Sequence, residues 1–314
     1  MRQYNQSQVA LGSVIVLNIV TDKDETFASR LMSELWLDIF KFERQFSRFL
    51  SSSELSIFNR SAGQKQRITP EFKNLLEDVQ KISIKTSGLF NPFILPSLQA
   101  AGYDHSLVAG YENDNTDDHS SKTVVSMSQL RLGQNWASIP YGTALDLGGY
   151  GKGYLADYLA TKLRSQVNGY WLSLGGDVAL GGTDENNSGW KISIQKADAL
   201  DASADVGYLI TRPNEYFSFA TSGVTTRKGV KNNRAWHHLI DPRTLKPAKT
   251  DVLLATVGSS SALYADVMAS CAVILGSKKA LDFLKDKGIK TALLQLTKSS
   301  SPSVINLGKR IKLE

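Results

Sequence analysis

Six strand-like segments follow one another between residues 170 and 258 with no helical period among them. They cover 170–174, 190–194, 206–210, 215–220, 235–240 and 253–258, rich in β-branched and aromatic residues and separated by turn-forming stretches. A regular βαβ chain would place a helix between successive strands. That alternation is missing, so the chain reads as α+β. Its 314 residues suggest about two domains or one large one.

Helical periods flank this β-rich region. Residues 25–43 place Phe27, Leu31, Leu35, Ile39 and Phe42 on one face. A polar stretch, 51–65, breaks that pattern. Thr69-Pro70 then reads as an N-cap followed by proline at the first helical position, and Phe72, Leu75, Leu76, Val79 and Ile82 continue to a stop near Ser87-Gly88. A strand is expected at 13–20, short strands near Val124 and Leu130, and a strand entering 143–147. Glycines 148–153 open a helix that runs to about Ser165. Further helices cover 262–275 and 278–287, and a strand covers 291–296. The polar run 111–122 (YENDNTDDHSSK) reads as an exposed insertion loop.

Composition excludes several classes. Hydrophobic residues at 42% and charged residues at 21% describe a globular chain, not a disordered one. The single cysteine, Cys271, rules out an intrachain disulfide framework and a cysteine-rich zinc or iron–sulfur site. It reads as a small core residue and not a nucleophile. Four histidines (His105, His119, His237, His238) argue against a histidine-cluster metal site, so any metal should be held by oxygens. The net charge of +6 suits an anionic ligand. Basic residues are scattered and do not interleave with aromatics, which argues against nucleic acid. The apolar stretch Val14–Val20 is too short to span a membrane, and no signal peptide or lipoprotein box is visible, so the sequence as written reads as cytoplasmic.

Several short motifs carry polar chemistry, and each also has a plain structural reading. In Asp146-Leu-Gly-Gly-Tyr-Gly-Lys-Gly-Tyr-Leu-Ala-Asp157, glycines at a strand-to-helix turn let backbone approach a ligand, and the helix N-terminus with Lys152 favours an anion. It lacks the spacing of a P-loop or dinucleotide fingerprint, and a tight packing turn explains it equally well. Leu174-Gly-Gly-Asp177 fits a hairpin turn. Ala220-Thr-Ser-Gly223 follows a strand; its hydroxyls can bind a phosphate or a base edge, or serve as ordinary turn chemistry. His237-His238-Leu-Ile-Asp-Pro242 offers an imidazole for proton transfer or leaving-group stabilisation, or a satisfied strand histidine. Asp266 and Ser270 are i and i+4 in a helix, sharing a face where a carboxylate and a hydroxyl can hold a hard cation such as Mg²⁺. The alternative is a capping interaction within a small-residue packing seam. Thr86-Ser-Gly-Leu-Phe-Asn-Pro92 is explained by a helix C-cap.

The order of these blocks, preceded by Leu11-Gly12-Ser13, Phe46-Ser-Arg-Phe49, Ser53-Glu-Leu55 and Asn59, resembles the ApbE family of FAD:protein FMN transferases over residues 10–296. The resemblance implies an α+β, T-fold-related fold with mixed sheets and flanking helices. It implies one catalytic domain over 10–300, made of two intertwined subdomains with a flavin cleft between them. The implied reaction is Mg²⁺-dependent transfer of FMN from FAD to a threonine or serine of an acceptor flavoprotein, with release of AMP. Acceptors in the family are flavin-carrying subunits of respiratory complexes and related reductases, whose hydroxyl lies in a motif rich in Ser/Thr, Gly and Ala. FAD pyrophosphatase activity giving FMN and AMP, or flavin binding without catalysis, are the alternatives.

Residue by residue, the resemblance gives Gly149 a metal-coordinating carbonyl, and gives Asp266 and Ser270 side-chain metal ligands. It places Asp146, Lys152 and His238 against FAD, with Leu89, Phe90 and Asn91 as a contacting tripeptide, usually Ala-Phe-Asp. Leu11 stands where methionine is common and Phe49 where tyrosine is common. Thr221, Ser222 and Gly223 fit a flavin or adenosine pocket. Asp266 is then expected to anchor Mg²⁺ and assist removal of the acceptor proton, and His238 to orient a phosphate or stabilise the AMP leaving group. Asn91, Phe49 and Leu11 each remove a polar or adaptable contact. At about 1 kcal/mol per lost hydrogen bond, these departures imply weaker FAD binding.

Overall fold

The computed structural model describes residues 1–103, 123–197, 204–297 and 303–314. The expected loop at 111–122 lies outside the described residues. The described helices are α1 (Glu25–Phe46), α2 (Glu54–Arg60), α3 (Pro70–Lys85), α4 (Leu95–Ala101), α5 (Gly151–Leu163), α6 (Ala262–Leu275) and α7 (Ser277–Asp286). The chain divides into two compact units, each drawn from separate stretches of sequence. No described helix is long and apolar enough to cross a membrane.

The first unit comprises Met1–Phe40, Gly149–Thr225 and Lys249–Glu314. Its centre is an eight-stranded sheet in the order Arg2–Ala10, Ser13–Thr21, Gly169–Leu174, Asp177–Gly182, Phe217–Gly223, Val252–Ser259, Thr291–Leu296, Val304–Leu307. Every neighbouring pair is antiparallel. Helix α6 packs on the strands Phe217–Gly223 and Val252–Ser259, and its residues from Ala265 to Ile274 are all buried. On the other face, Val20, Val178, Leu180, Phe219 and Leu293 meet Trp190, Ile194, Leu209 and Ile311 of a three-stranded antiparallel sheet and its approach.

Helix α5 crosses close to α6 because Gly153 has no side chain: a Cβ there would lie 2.7 Å from Leu263 Cα and 2.8 Å from Ala262 O. Asp157, one turn further, caps α6. Its carboxylate accepts from Ser261 Oγ (2.6 Å) and from the amides of Ala262 (2.7 Å) and Leu263 (3.1 Å). These are orphan donors of a helix N-terminus. Burial pushes the Asp157 carboxyl above its ordinary range, against the opposing pull of these donors. Asp157→Ala strands those amides and is expected to cost about 1–3 kcal/mol, read as a lower urea midpoint with unchanged slope.

The second unit comprises Lys41–Gly148 and Thr226–Ala248. It holds α2, α3 and α4 with three small antiparallel sheets. As its period predicts, α3 buries Phe72, Leu75, Leu76, Val79 and Ile82, and Thr69 caps it by accepting from the Phe72 amide. Phe72 packs against Phe46 and Phe58, with centroids 5.4 Å away in each case.

Five sequence expectations need correction. No strand forms at 143–147 or at Val124. Asn59 takes the place of a partner strand at Leu145, accepting from its amide (2.8 Å) and donating to its carbonyl (2.9 Å). The stretch 51–65 contains α2, started by Ser53, whose side chain accepts from the Ser56 amide. The segment Ala220–Gly223 does not follow a strand but ends one, because Phe217–Gly223 pairs with Val252–Ser259 through Gly223 itself. The strand expected at 235–240 is two short ones, Arg234–His237 and Ile240–Asp241.

Candidate active site

The oxygen-rich centre of the first unit lies where α6 covers the sheet. Asp266 and Ser270 share one face of α6 and are 3% and 8% exposed. The Ser270 hydroxyl is 2.8 Å from that of Ser222 on the neighbouring strand. A Cβ on Gly149 would lie 4.0 Å from Ser270 Oγ. The two residues thus share a face as their spacing requires, with Ser222 bonded to Ser270 and Gly149 beside it. Thr221 points the other way, as alternate strand residues must, and its hydroxyl is 2.8 Å from that of Thr256 across the ladder. Gly223 has no room for a side chain, since a Cβ would lie 2.5 Å from Leu253 O. Cys271 is fully buried, and burial pushes its thiol pKa well up, as suits a core residue.

A second cluster of the same unit surrounds Lys152 in the first turn of α5. Gly175 and Gly176 both have positive φ and form the expected two-residue turn between Leu174 and Asp177. Asp177 thereby reaches Lys152 Nζ at 2.6 Å, with side chains 2% and 12% exposed. Gly175 also allows close approach of the first hairpin, because a Cβ there would meet Ser13 Oγ at 2.6 Å. The tip of that hairpin is Leu11-Gly12, both at positive φ.

In the second unit, Asp146 is held by Arg48. The Nε···Oδ2 distance is 2.7 Å and the side chains are 8% and 10% exposed. The other Asp146 oxygen accepts from the Gly148 amide at 2.8 Å. The Arg48 guanidinium lies 4.1 Å from the Phe49 ring centroid and 4.7 Å from that of Tyr103, and donates to Tyr103 O. Tyr103 stacks on Trp236, and His238 meets Tyr103 edge-on with ring centroids 6.4 Å apart. Trp236 fits because Gly102 and Gly229 lack side chains; a Cβ on either would approach its ring within 2.8 Å.

Neighbouring His237 bonds Ala248 O at 3.0 Å through Nε2. A carbonyl only accepts, so Nε2 carries the proton, and burial pushes the ring pKa down. Asp241 takes a two-pronged contact from Arg243, which with its backbone donor outweighs burial and holds the carboxyl below its ordinary range. Asn91 spends both ends of its side chain locally, donating to Val125 O and accepting from the Phe93 amide. Leu89 is buried, and the Phe90 amide donates to Thr86 Oγ1. The C-cap reading of 86–92 thus holds for its backbone.

Among the described residues, no three His, Cys, Asp or Glu side chains gather as a metal site. A profile of the ApbE family matches residues 11–293. The chain belongs to the ApbE family. A relative from Klebsiella pneumoniae named FAD:protein FMN transferase is 28% identical over 293 residues, covering 91% of this chain and 87% of its own. One of the same name from Vibrio cholerae is 22% identical, covering 89% and 83%. The fold matches the crystal structure of the ApbE protein of Thermotoga maritima (TM-score 0.82, 19% identity, 98% and 97% coverage). It also matches the Pseudomonas stutzeri flavinyl transferase ApbE (TM-score 0.80, 20% identity, 98% and 95% coverage).

Sequence reasoning about this ApbE chain gave no role to Arg48, Tyr103, Trp236, Asp177 or Asp157. Arg48, Asp157 and Asp177 lay inside quoted motifs. Their signal was a charge set among apolar neighbours, which demands a partner of opposite sign. Tyr103 and Trp236 carried no local signal.

Proposed function

We propose that this chain transfers FMN from FAD to a serine or threonine hydroxyl of an acceptor flavoprotein, forming a phosphoester and releasing AMP. The observation that carries the reading is the buried oxygen cluster Asp266–Ser270–Ser222. It occurs in a chain whose relative over 91% of its length bears that transferase name.

The cluster suits Mg²⁺, which prefers oxygen ligands and keeps several waters. The Asp266 carboxylate, the Ser270 hydroxyl and the Gly149 carbonyl are the ligands we assign. When bound, Mg²⁺ supplies neutralisation of pyrophosphate charge during in-line displacement. Asp266 also takes the acceptor hydroxyl proton. The hydroxyl oxygen bonds to the FMN phosphorus, the phosphorus–oxygen bond to AMP breaks, and the bridging oxygen leaves with AMP. His238 orients a phosphate or stabilises that leaving group. Asp146, Lys152, Leu11, Phe49, Leu89, Phe90, Asn91, Thr221, Ser222 and Gly223 are the remaining FAD contacts we assign, Thr221 and Gly223 through their backbone.

The test is incubation with FAD and Mg²⁺, with and without an apo flavin-carrying subunit of a respiratory complex. A fluorescent acceptor band in a denaturing gel, with AMP released in step, is the expected result. AMP and free FMN at equal rates without acceptor would make the protein an FAD pyrophosphatase. Tight FAD retention without turnover would make it a binding protein.

A further inference from the structure

We infer that the free edge of the eight-stranded sheet, strand Arg2–Ala10, receives an extended segment of the acceptor polypeptide as an added strand; the inference rests on the transferase reading above. The hairpin geometry defines the edge. Leu11 (φ 54°) and Gly12 (φ 63°) form a two-residue turn of the primed kind, and Ala10 pairs with Ser13. In such a hairpin the flanking pair exchanges both ladder bonds, and alternate pairs follow suit. Tyr4, Gln6, Gln8 and Ala10 therefore bond the partner strand, while Gln3, Asn5, Ser7 and Val9 aim their N–H and C=O groups outward.

The partner strand agrees with this phase. The carbonyls of Val14 and Val20, opposite Val9 and Gln3, face away from the edge and accept from the amides of Gly175 and Asn168. Among the described residues, nothing pairs with the outer side of Arg2–Ala10.

Edge strands are normally blunted by shortness, charge, proline or a bulge. This one has nine residues in unbroken register, no proline, and a single charge, Arg2, at its far end. The opposite edge of the sheet, Val304–Leu307, has only four residues. The long edge is also exposed on both faces apart from Tyr4 and Ala10, and near its tip Val9 forms an exposed apolar pair with Val14 of the partner strand (56% and 59% exposed). Such an edge offers main-chain bonds to any extended peptide and side-chain selection at alternate positions.

Its position selects the acceptor over a second copy of this chain. The strand ends in the Leu11–Ser13 turn, and Ser13 abuts Gly175 beside the Lys152–Asp177 pair. A segment laid along the edge is thus led to residues assigned to FAD. That is what presenting a hydroxyl requires, whereas pairing with another copy would gain nothing from it.

Ser7→Pro tests the docking, because it deletes one outward N–H while leaving every bond to the partner strand intact. With the apo flavin-carrying subunit as acceptor, kcat/KM for the acceptor is expected to fall about tenfold, with FAD affinity and melting temperature unchanged. Wild-type acceptor kinetics in this variant overturn the inference. Hydrogen exchange on the unmodified protein gives a second readout, independent of the variant's folding. The amides of Gln3, Asn5, Ser7 and Val9 are expected to gain protection when the acceptor is added. No gain overturns the inference, as does protection that rises with the concentration of this chain alone. An unmodified protein that transfers no FMN overturns the functional reading, and this inference with it.

Discussion

Replacing Asp266 with alanine is expected to leave a folded protein whose FMN transfer falls by about a thousandfold. Asp266 is the one charged residue of α6 and is 3% exposed. A carboxylate is costly at such a site unless partners or a cation compensate it. Alanine is the better helix former, so α6 is expected to persist, read as an unchanged far-ultraviolet circular dichroism spectrum. Asp266→Asn separates charge from shape, since it keeps an oxygen at the same place without the negative charge. If the carboxylate anchors Mg²⁺ and takes the acceptor proton, the asparagine variant falls nearly as far as alanine. Ser270→Ala is expected to be milder, because a neutral hydroxyl contributes less to cation binding than a carboxylate. Transfer at the unmodified rate in Asp266→Ala would remove this residue from the chemistry, whatever the fate of the rest of the assignment.

The fold was legible where a side-chain period met a single environment. The apolar face of α3 and the apolar length of α6 could be read directly, as could the glycine turn before α5. Reading failed where another group took over the backbone. At 143–147 the Asn59 side chain supplies the bonds that a neighbouring strand would have supplied. The strand Arg2–Ala10 was not anticipated, because exposure on both faces leaves no alternation to detect. The site divides in the same way. Asp266 and Ser270 are one turn apart, so spacing alone placed them on a common face. Ser222 reaches Ser270, and Arg48 reaches Asp146, only through tertiary packing that no local pattern encodes.

Arg48→Ala is expected to destabilise the protein by about 3–5 kcal/mol, the range for breaking one side of a buried ion pair. Both side chains are nearly covered, so the loss leaves the Asp146 carboxylate with the Gly148 amide but without its cation. The same substitution strips the contact between the Phe49 and Tyr103 rings and the donor to Tyr103 O. A double-mutant cycle separates these effects. Combining Arg48→Ala with Asp146→Asn removes the stranded charge and is expected to recover a large part of the loss in urea midpoint. What remains reports the packing between the rings. Arg48→Lys keeps the charge but loses the planar group that lies against both aromatics, so it is expected to fall between the unmodified protein and alanine. If Arg48→Ala melts like the unmodified protein, the pair neither fixes Asp146 nor holds the aromatic cluster. Asp146 would then have to be positioned by its backbone and Gly148 alone.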